Sequence, residues 1–460
     1  MLEYSRDLAQ NPCHMCMPMG GILALKGIAG SMALLHGSQG CSTYMRRHIA
    51  EHFNEPVDVA SSSLNEKGTV YGGQANLKQA LDNVRRVYQP QVIGVLTTCL
   101  AETIGEDIRR ITYEYRQETK CDCRIVTAAT PGYGGTHVEG YWGTLQELLR
   151  QTAEPSTPHA GVNLIVPACL SPADLREIKR YLEMFGLEYI LLPDISETMD
   201  RPFESEYRKI AGGGTALSDI RRMPGAVVTM ELGGAVDEKL SPGKWLQDEY
   251  KTPLLRLPVP IGLKNTDLFV NVLSQATGRP LPVMLKRERG LLMDAMIDAH
   301  KFSFHVRPAL FGDPEMVGAM VGFCAENGMF PRVVASGGGD KEWCKTVQQQ
   351  LAEALEPAWI QEKTGMAEVL EQSVAGEANM AVGPSVGRYL EEKADIPLVR
   401  LGFPIQDRLG AQRILSVGYN GTALLLDKMV NRYLERKHKS YRQDLYDAHF
   451  DSKEAIRHAM

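Results

Sequence analysis

Short apolar segments alternate with longer amphipathic segments along most of the chain. The apolar segments end in Gly, Pro, Ser or Thr, and the segments that follow carry apolar residues at helical spacing. Strands that are apolar on both faces are typical of parallel sheets covered by helices. The pattern therefore predicts an α/β fold of doubly wound parallel sheets. The segments behind this prediction are VIGVLTTC (92–99), VNLIVPA (162–168), YILLPD (189–194), AVVTMEL (226–232), PALFGDP (308–314), RVVASGGG (332–339), ANMAVGPS (378–385) and PLVRLGFP (397–404).

The alternation is interrupted twice, which indicates three domains. The stretch QTAEPSTPHAG (151–161) is rich in Pro, Ser and Thr, and a second break follows the helical segment that ends near residue 300. A chain of 460 residues, at roughly 150 residues per domain, agrees with this number. We predict an N-terminal α/β domain at 1–155, a middle one at 156–302 and a C-terminal one at 303–460. In such sheets, ligands bind beyond the carboxyl ends of the strands.

Charge and hydropathy exclude two classes of protein. The chain has 50 basic and 56 acidic residues, a net charge of −6, which argues against a protein that coats nucleic acid. No apolar run is long enough to span a membrane, and the opening MLEYSRDLAQ lacks the basic and apolar regions of a signal peptide. The sequence therefore predicts a cytoplasmic protein that binds neither nucleic acid nor membrane.

Three of the nine cysteines stand where a metal cluster would be bound. Cys41 follows a glycine-rich turn and opens a helical segment, a position that favours the thiolate. Cys99 ends a predicted strand, and Cys16 lies in a loop bounded by Pro and Gly. Three thiols on three loops suit an iron–sulfur cluster better than a hard cation. Two alternatives stay open: buried structural cysteines, and a zinc or dithiol role for the Cys13-x-x-Cys16 pair.

The segments around these cysteines resemble a known family. NPCHMCMPMG, HGSQGCSTYMRRHIAEHFNEP, SSSLNEKGTVYGGQANLKQAL and VLTTCLAETIGEDI are similar to the N-terminal domain of nitrogenase component 1 β subunits. The resemblance continues more weakly, and in order, through GTHVEGY, RERGLLMDAMIDAH, FGDP and RLGFPIQDR…VGYNGT, so it covers nearly the whole chain. It implies three domains of the component 1 type and a subunit of an oxidoreductase.

The resemblance also implies a cofactor and partners. In the family, the β subunit gives three cysteines to the P-cluster, an iron–sulfur cluster of the 8Fe-7S type that bridges the α-type and β-type subunits of an α₂β₂ heterotetramer. The matching positions are Cys16, Cys41 and Cys99, and Thr136 takes the place of a serine that ligates the oxidised cluster. Electrons come from an ATP-dependent iron–sulfur reductase, component 2, and pass to a metal–sulfur cofactor in the α-type subunit. No catalytic residue is assigned to this chain.

A second candidate site is built from acids. Asp294 and Asp298 are four residues apart, so a helix would place both carboxylates on one face. By itself this spacing is more typical of a solvated face. The resemblance implies a mononuclear divalent metal between two β-type subunits, bound by these residues and Glu55, and oxygen ligands suit a hard cation.

Other features carry weaker predictions. SGGGD (336–340) lacks a complete phosphate-binding motif and, like GGGT (212–215), is interpreted as a turn or loop. His36 and His48 flank the Cys41 loop, where they either tune the cluster or pack. The remaining cysteines have no evident partner spacing and are interpreted as structural: Cys121, Cys123, Cys169, Cys324 and Cys344.

Three functions share this fold. The leading hypothesis is an electron-relay subunit of a nitrogenase-like catalytic component. A cofactor-assembly scaffold is the rival, but scaffold β-type subunits typically lack the first cysteine, and Cys16 is present. Dark-operative tetrapyrrole reductases fit the Cys41 block less well. The short segment before NPCHMC, Thr136 in place of serine and RLGAQR (408–413) after FPIQD favour methylthio-alkane reduction, with C–S cleavage of small thioethers, over dinitrogen reduction.

Overall fold

The computed structural model describes residues 13–352 and 356–449. The N-terminal expectation about a signal peptide therefore lies outside the described residues. Within them are three parallel sheets, which occupy residues 31–128, 162–257 and 308–400. Every strand pairing in the three sheets is parallel. This confirms the predicted α/β class, while the domain boundaries stay predictions.

The first sheet has the strand order β2-β1-β3-β4. The two central strands are buried along their whole length, which explains their unbroken apolar sequence. Its elements are α1 (Met17–Lys26), β1 (Ser31–His36), α2 (Gln39–Phe53), β2 (Ala60–Ser61), α3 (Glu66–Tyr71), α4 (Gln74–Tyr88), β3 (Val92–Thr97), α5 (Cys99–Thr103), α6 (Ile108–Thr119), β4 (Arg124–Ala128) and α7 (His137–Thr152).

The second sheet has the order β6-β5-β7-β8. The helix after β5 begins with a capping box, in which Ser171 and Asp174 satisfy each other's backbone N–H groups. The elements are β5 (Val162–Ile165), α8 (Pro172–Met184), β6 (Tyr189–Leu192), α9 (Leu217–Arg222), β7 (Thr229–Leu232), α10 (Pro242–Tyr250), β8 (Leu254–Leu257), α11 (Leu263–Thr277) and α12 (Val283–Ser303).

The third sheet has the order β11-β10-β9-β12-β13. Its last helix packs along α12 of the second sheet. The elements are β9 (Pro308–Gly312), α13 (Pro314–Glu326), β10 (Val333–Ser336), α14 (Lys341–Gln350), β11 (Trp359–Gln361), α15 (Met366–Ala375), β12 (Met380–Gly383), α16 (Arg388–Ala394), β13 (Leu398–Arg400) and α17 (Gly418–His449).

One hydrophobic core runs through all three sheets, from Met19 in α1 to Val430 in α17. A buried carboxylate also joins the helices of the second and third sheets: Asp174 accepts hydrogen bonds from the backbone N–H groups of Ser416 (2.7 Å) and Val417 (3.2 Å). Because these contacts satisfy a carboxylate that is out of water, they hold the start of α17 against α8. None of the described helices has the length and apolar character needed to cross a bilayer.

Helices α1 and α7 approach each other unusually closely. A Cβ atom on Gly20 would stand 1.7 Å from the His137 carbonyl oxygen, and one on Gly140 would stand 2.0 Å from the Met17 carbonyl oxygen. Only glycine fits at such distances. This contact places the beginning of α1 beside the beginning of α7, where candidate ligands lie.

Candidate cluster-binding site

The three candidate cysteines lie at the beginnings of three helices. Cys16 is the N-cap residue of α1, Cys41 is the third residue of α2, and Cys99 is the first residue of α5. A helix beginning carries partial positive charge and free N–H groups, which favour a thiolate. The sequence placed Cys16 in a loop, and the structure adds that this loop ends at a helix.

Strand topology brings two of these cysteines to one edge. β1 and β3 are neighbours paired in register from Ser31 opposite Val92 to His36 opposite Thr97. The loops that leave the carboxyl ends of these strands lead to Cys41 and Cys99 at the same edge of the sheet. This is the edge at which open α/β sheets bind their ligands.

Cys16 reaches the same place through contacts with the loop before α7. Its backbone forms an antiparallel bridge with Thr136. The backbone N–H of His137 donates to the Met15 carbonyl oxygen (2.9 Å), and the Met15 N–H donates to His137 Nδ1 (3.2 Å). The Nε2 atom of His137 lies 2.9 Å from Asp313. Burial alone would lower the pKa of His137, but the Asp313 carboxylate raises it above its usual value.

Gly132 shows how close two of the sulfurs are. Its N–H donates to Cys99 Sγ (3.1 Å), and a Cβ atom at this position would stand 2.6 Å from Cys16 Sγ and 3.2 Å from Cys99 Sγ. The two sulfurs therefore share one small space beside the Gly132 backbone. Burial raises the pKa of Cys16, and the nearby Cys99 and Cys41 thiols raise it further because like charges would repel.

All three thiols face the surface of the chain. Cys16 and Cys99 are exposed and Cys41 is partly exposed, although free cysteine is among the most buried residue types in folded proteins. Their thiolates are soft ligands suited to iron in an iron–sulfur cluster. The described residues contain no group of three His, Cys, Asp or Glu side chains positioned to hold a single metal ion. A multi-iron cluster would not require that arrangement, because its thiolate ligands would be spread around the cluster rather than gathered on one ion.

Comparison with known proteins decides the family. The family model of nitrogenase component 1 type oxidoreductases matches residues 16–434. The chain is 34% identical over 436 residues to the nitrogenase molybdenum-iron protein beta chain of Clostridium pasteurianum, covering 94% of each chain. The corresponding chain of Azotobacter vinelandii is 32% identical, over 95% of this chain and 86% of its own length. The chain belongs to the nitrogenase component 1 family.

A solved structure agrees with this assignment. The structure "Nitrogenase Cp1 at pH 6.5" superposes with a TM-score of 0.91 at 32% identity, covering 95% of this chain and 96% of its own. A chain of "Nitrogenase Cp1 at pH 5" shares the fold at a TM-score of 0.68 and 14% identity. The predicted family, the fold class and the assignment as a subunit of a multi-subunit oxidoreductase are confirmed.

Thr136 lies beside Cys16 at the candidate site, but its hydroxyl group has other contacts. It is the N-cap residue of α7 in a capping box: the hydroxyl donates to the Glu139 carboxylate and accepts from the Val138 N–H (3.2 Å). The backbone N–H of Thr136 donates to the same carboxylate (2.8 Å). Ligation of a cluster by Thr136 stays a prediction, and it would require the hydroxyl to leave this cap.

The three acids of the second candidate site are not together within the chain. Asp294 and Asp298 are exposed on α12, as their spacing predicts. Glu55 lies after α2, where its carboxylate is 3.5 Å from the Arg201 guanidinium and accepts from the Arg201 N–H (3.3 Å). A metal site made of all three acids would need a second copy of the chain, and Arg201 would compete for Glu55. The site stays a prediction.

The structure argues against a dithiol or zinc role for Cys13 and Cys16. Cys13 is buried with its sulfur 3.2 Å from Met366 Sδ, and burial raises its pKa to about 12. It therefore packs in the core of the third sheet while Cys16 faces outward.

The flanking histidines have contacts other than the cysteines. His36 is fully buried, with Nδ1 2.9 Å from Ser62 Oγ and Nε2 3.4 Å from Glu106, and burial lowers its pKa. His48 Nδ1 is 2.5 Å from Gln406 Nε2. These contacts favour the packing interpretation over cluster tuning.

The remaining cysteines divide into two groups. Cys169 and Cys324 are buried, and Cys344 donates to Glu362 (3.0 Å), which agrees with structural roles. Cys121 and Cys123 were interpreted as structural, without an evident partner spacing, and the structure adds that their sulfurs lie 2.8 Å apart between α6 and β4.

Sequence reasoning did not place two glycine segments at the site. Gly132 was not singled out, although its place in PGYGG was a signal of close backbone approach. The turn in SGGGD joins the third sheet to the site: a Cβ on Gly337 would stand 2.5 Å from the Cys13 backbone, and one on Gly338 would stand 3.3 Å from Thr136 Oγ1. The GGGT segment (212–215) is a loop beside the end of α1, where the backbone of Thr215 forms a parallel β-bridge with that of Ile28.

Proposed function

We propose that the chain is the β-type subunit of a nitrogenase-like catalytic component and holds half of a P-cluster-type iron–sulfur cluster. The observation that carries the proposal is the convergence of Cys16, Cys41 and Cys99 at one exposed sheet edge. In this role, the subunit relays electrons from an ATP-dependent iron–sulfur reductase to a metal–sulfur cofactor in an α-type partner.

The residues of this chain bind the cluster and set its surroundings. The cluster, when bound, supplies one-electron transfer. The three thiolates hold it, and the helix beginnings compensate part of their negative charge. The N–H of Gly132 withdraws charge from the Cys99 sulfur, and hydrogen bonds to cluster sulfurs favour the reduced state. Thr136 as a further ligand of the oxidised cluster belongs to this proposal.

A partner subunit follows from the exposure of the thiols. A cluster bound on one side by three cysteines still needs ligands on its other side, and a second protein surface would supply them and exclude water. We therefore propose an α₂β₂ heterotetramer. Native mass spectrometry of the isolated chain should find no stable cluster-loaded monomer, and finding one would contradict this assembly.

Two substrates remain under this proposal. The relatives compared above are nitrogenase molybdenum-iron beta chains, and this supports dinitrogen as the first hypothesis. No comparison supports the thioether reduction that the short N-terminal segment, Thr136 and RLGAQR favoured. An anaerobic preparation of the complete component should be assayed in parallel with dinitrogen, acetylene and a volatile thioether. A scaffold would turn over none of them.

Single Cys→Ala variants of the three ligands test the proposal. We expect each of Cys16→Ala, Cys41→Ala and Cys99→Ala to lower the iron content of the purified complex. The activity of each variant should fall by orders of magnitude. Cys344→Ala is the matched control, because this thiol is partly exposed and contacts Glu362 instead. Full iron content in any of the three ligand variants would count against the proposal.

A further inference from the structure

The C-x-C segment between α6 and β4 brings two thiols together away from the cluster site. The Sγ atoms of Cys121 and Cys123 lie 2.8 Å apart, less than an ångström beyond an S–S bond of about 2.05 Å. Both residues are half-buried. They precede β4, whereas Gly132 and Thr136 follow it, so the pair lies at the opposite edge of the first sheet from the candidate ligands.

Cys123 borders a cavity that is lined by charges of both signs. The cavity has a volume of about 480 Å³ and is lined by Cys123, Arg85 and Arg86 together with Asp82 and Asp122. The Asp82 carboxylate accepts from the Tyr115 hydroxyl (2.6 Å), and this hydroxyl accepts from Arg85 (3.0 Å). Because two guanidinium groups and two carboxylates line it, the cavity can pair with both the carboxylate and the ammonium groups of a small molecule.

We propose that Cys121 and Cys123 form a redox-active dithiol, which closes to an intramolecular disulfide by exchange with a small disulfide that carries both carboxylate and ammonium groups, such as oxidised glutathione. This inference does not rest on the proposed cluster. In a reducing compartment, such disulfides are transient or sense redox state rather than stabilise the fold. The ring here spans only three residues, so its closure removes little chain entropy.

The exchange is balanced in two steps. The thiolate of one cysteine of the pair attacks one sulfur of the small disulfide, breaks its S–S bond and releases one small thiolate. The other cysteine then loses its proton and attacks the sulfur of the first, which releases the second small thiolate and forms the intramolecular S–S bond. The two protein thiols lose two electrons and two protons, and the small disulfide gains them to become two small thiols.

Peptide mapping of the complete, anaerobically purified complex tests the pair. The complex is treated with oxidised glutathione, its free thiols are alkylated, and it is cleaved after glutamate to release residues 119–139, which contain no other cysteine. We expect this peptide to lack two hydrogen atoms and to carry no alkyl group, and dithiothreitol should restore two alkylatable thiols. Iron content should not change.

Two serine variants check that both thiols are needed. Each of Cys121→Ser and Cys123→Ser should accumulate a stable glutathione adduct on the remaining cysteine, because the thiol that would resolve the adduct is absent. Two alkylated thiols in the treated wild-type peptide, a lasting glutathione adduct on it, or a disulfide between two chains would overturn the proposal.

Discussion

Gly132 is the residue on which the spacing of two ligands depends. A methyl group at Gly132 would stand 2.6 Å from Cys16 Sγ and 3.2 Å from Cys99 Sγ. We expect Gly132→Ala to displace one thiol, because overpacking a tight site typically costs about 1–3 kcal/mol. Iron analysis and the spectrum of the reduced cluster should show partial loss or altered ligation. An unchanged cluster would mean that the loop moves freely.

Glu315 gives a pH-dependent prediction. Burial raises its pKa to about 7, and its Oε1 accepts from Trp142 Nε1 (2.8 Å). The folded chain therefore binds a proton more tightly than the unfolded chain, so this residue's contribution to stability is present below about pH 4.5 and is lost as the pH rises to about 7. Glu315→Gln keeps an acceptor for Trp142 and removes the charge.

The variant should consequently be more stable than wild type at pH 8, by up to about 3 kcal/mol from the shift in pKa. At pH 5 the free energies of unfolding of the variant and of wild type should be similar. Thermal unfolding at both pH values measures this. Equal destabilisation of the variant at both pH values would mean that the packing of the Glu315 carboxyl group stabilises the fold and that its charge does not destabilise it.

At the scale of elements, the contact between α1 and α7 determines where Cys16 lies. A Cβ atom on Gly140 would stand 2.0 Å from the Met17 carbonyl oxygen. A Cβ atom on Gly143 of the same helix would contact only Leu240, at 3.8 Å. We expect Gly140→Ala to separate the helices and lower both stability and iron content. Gly143→Ala is the matched control and should gain roughly 0.5–1 kcal/mol of helix stability. Equal behaviour of the two variants would contradict this view of the contact.

At the scale of the whole molecule, α12 offers two carboxylates without a counter-charge. Within the described part of the chain, neither Asp294 nor Asp298 forms an ion pair, and both are exposed. A divalent cation shared with Glu55 of another copy would relieve their repulsion. Asp298→Asn should therefore weaken the association of the two β-type subunits, more so with chelator, and leave the cluster's iron intact.

Analytical ultracentrifugation and metal analysis separate the outcomes. Loss of cluster iron in Asp298→Asn, or association that is insensitive to chelator, would contradict an interface metal. Arg201 makes this test informative, because its guanidinium already neutralises Glu55 within the chain. Arg201→Gln should then strengthen metal binding if Glu55 is a ligand.

The sequence by itself determined the class of fold and the family, and it singled out the three candidate ligands. Buried parallel strands favour unbroken apolar runs, and helix beginnings favour particular capping residues, so these elements leave local patterns. Cys16, Cys41 and Cys99 stand within such patterns. Only the tertiary structure decided the Gly132 contacts, the Arg201 pair with Glu55, the packing of the SGGGD turn and the approach of Cys121 to Cys123. Each depends on distances between atoms set by packing and backbone geometry, which the local pattern of residue types does not contain.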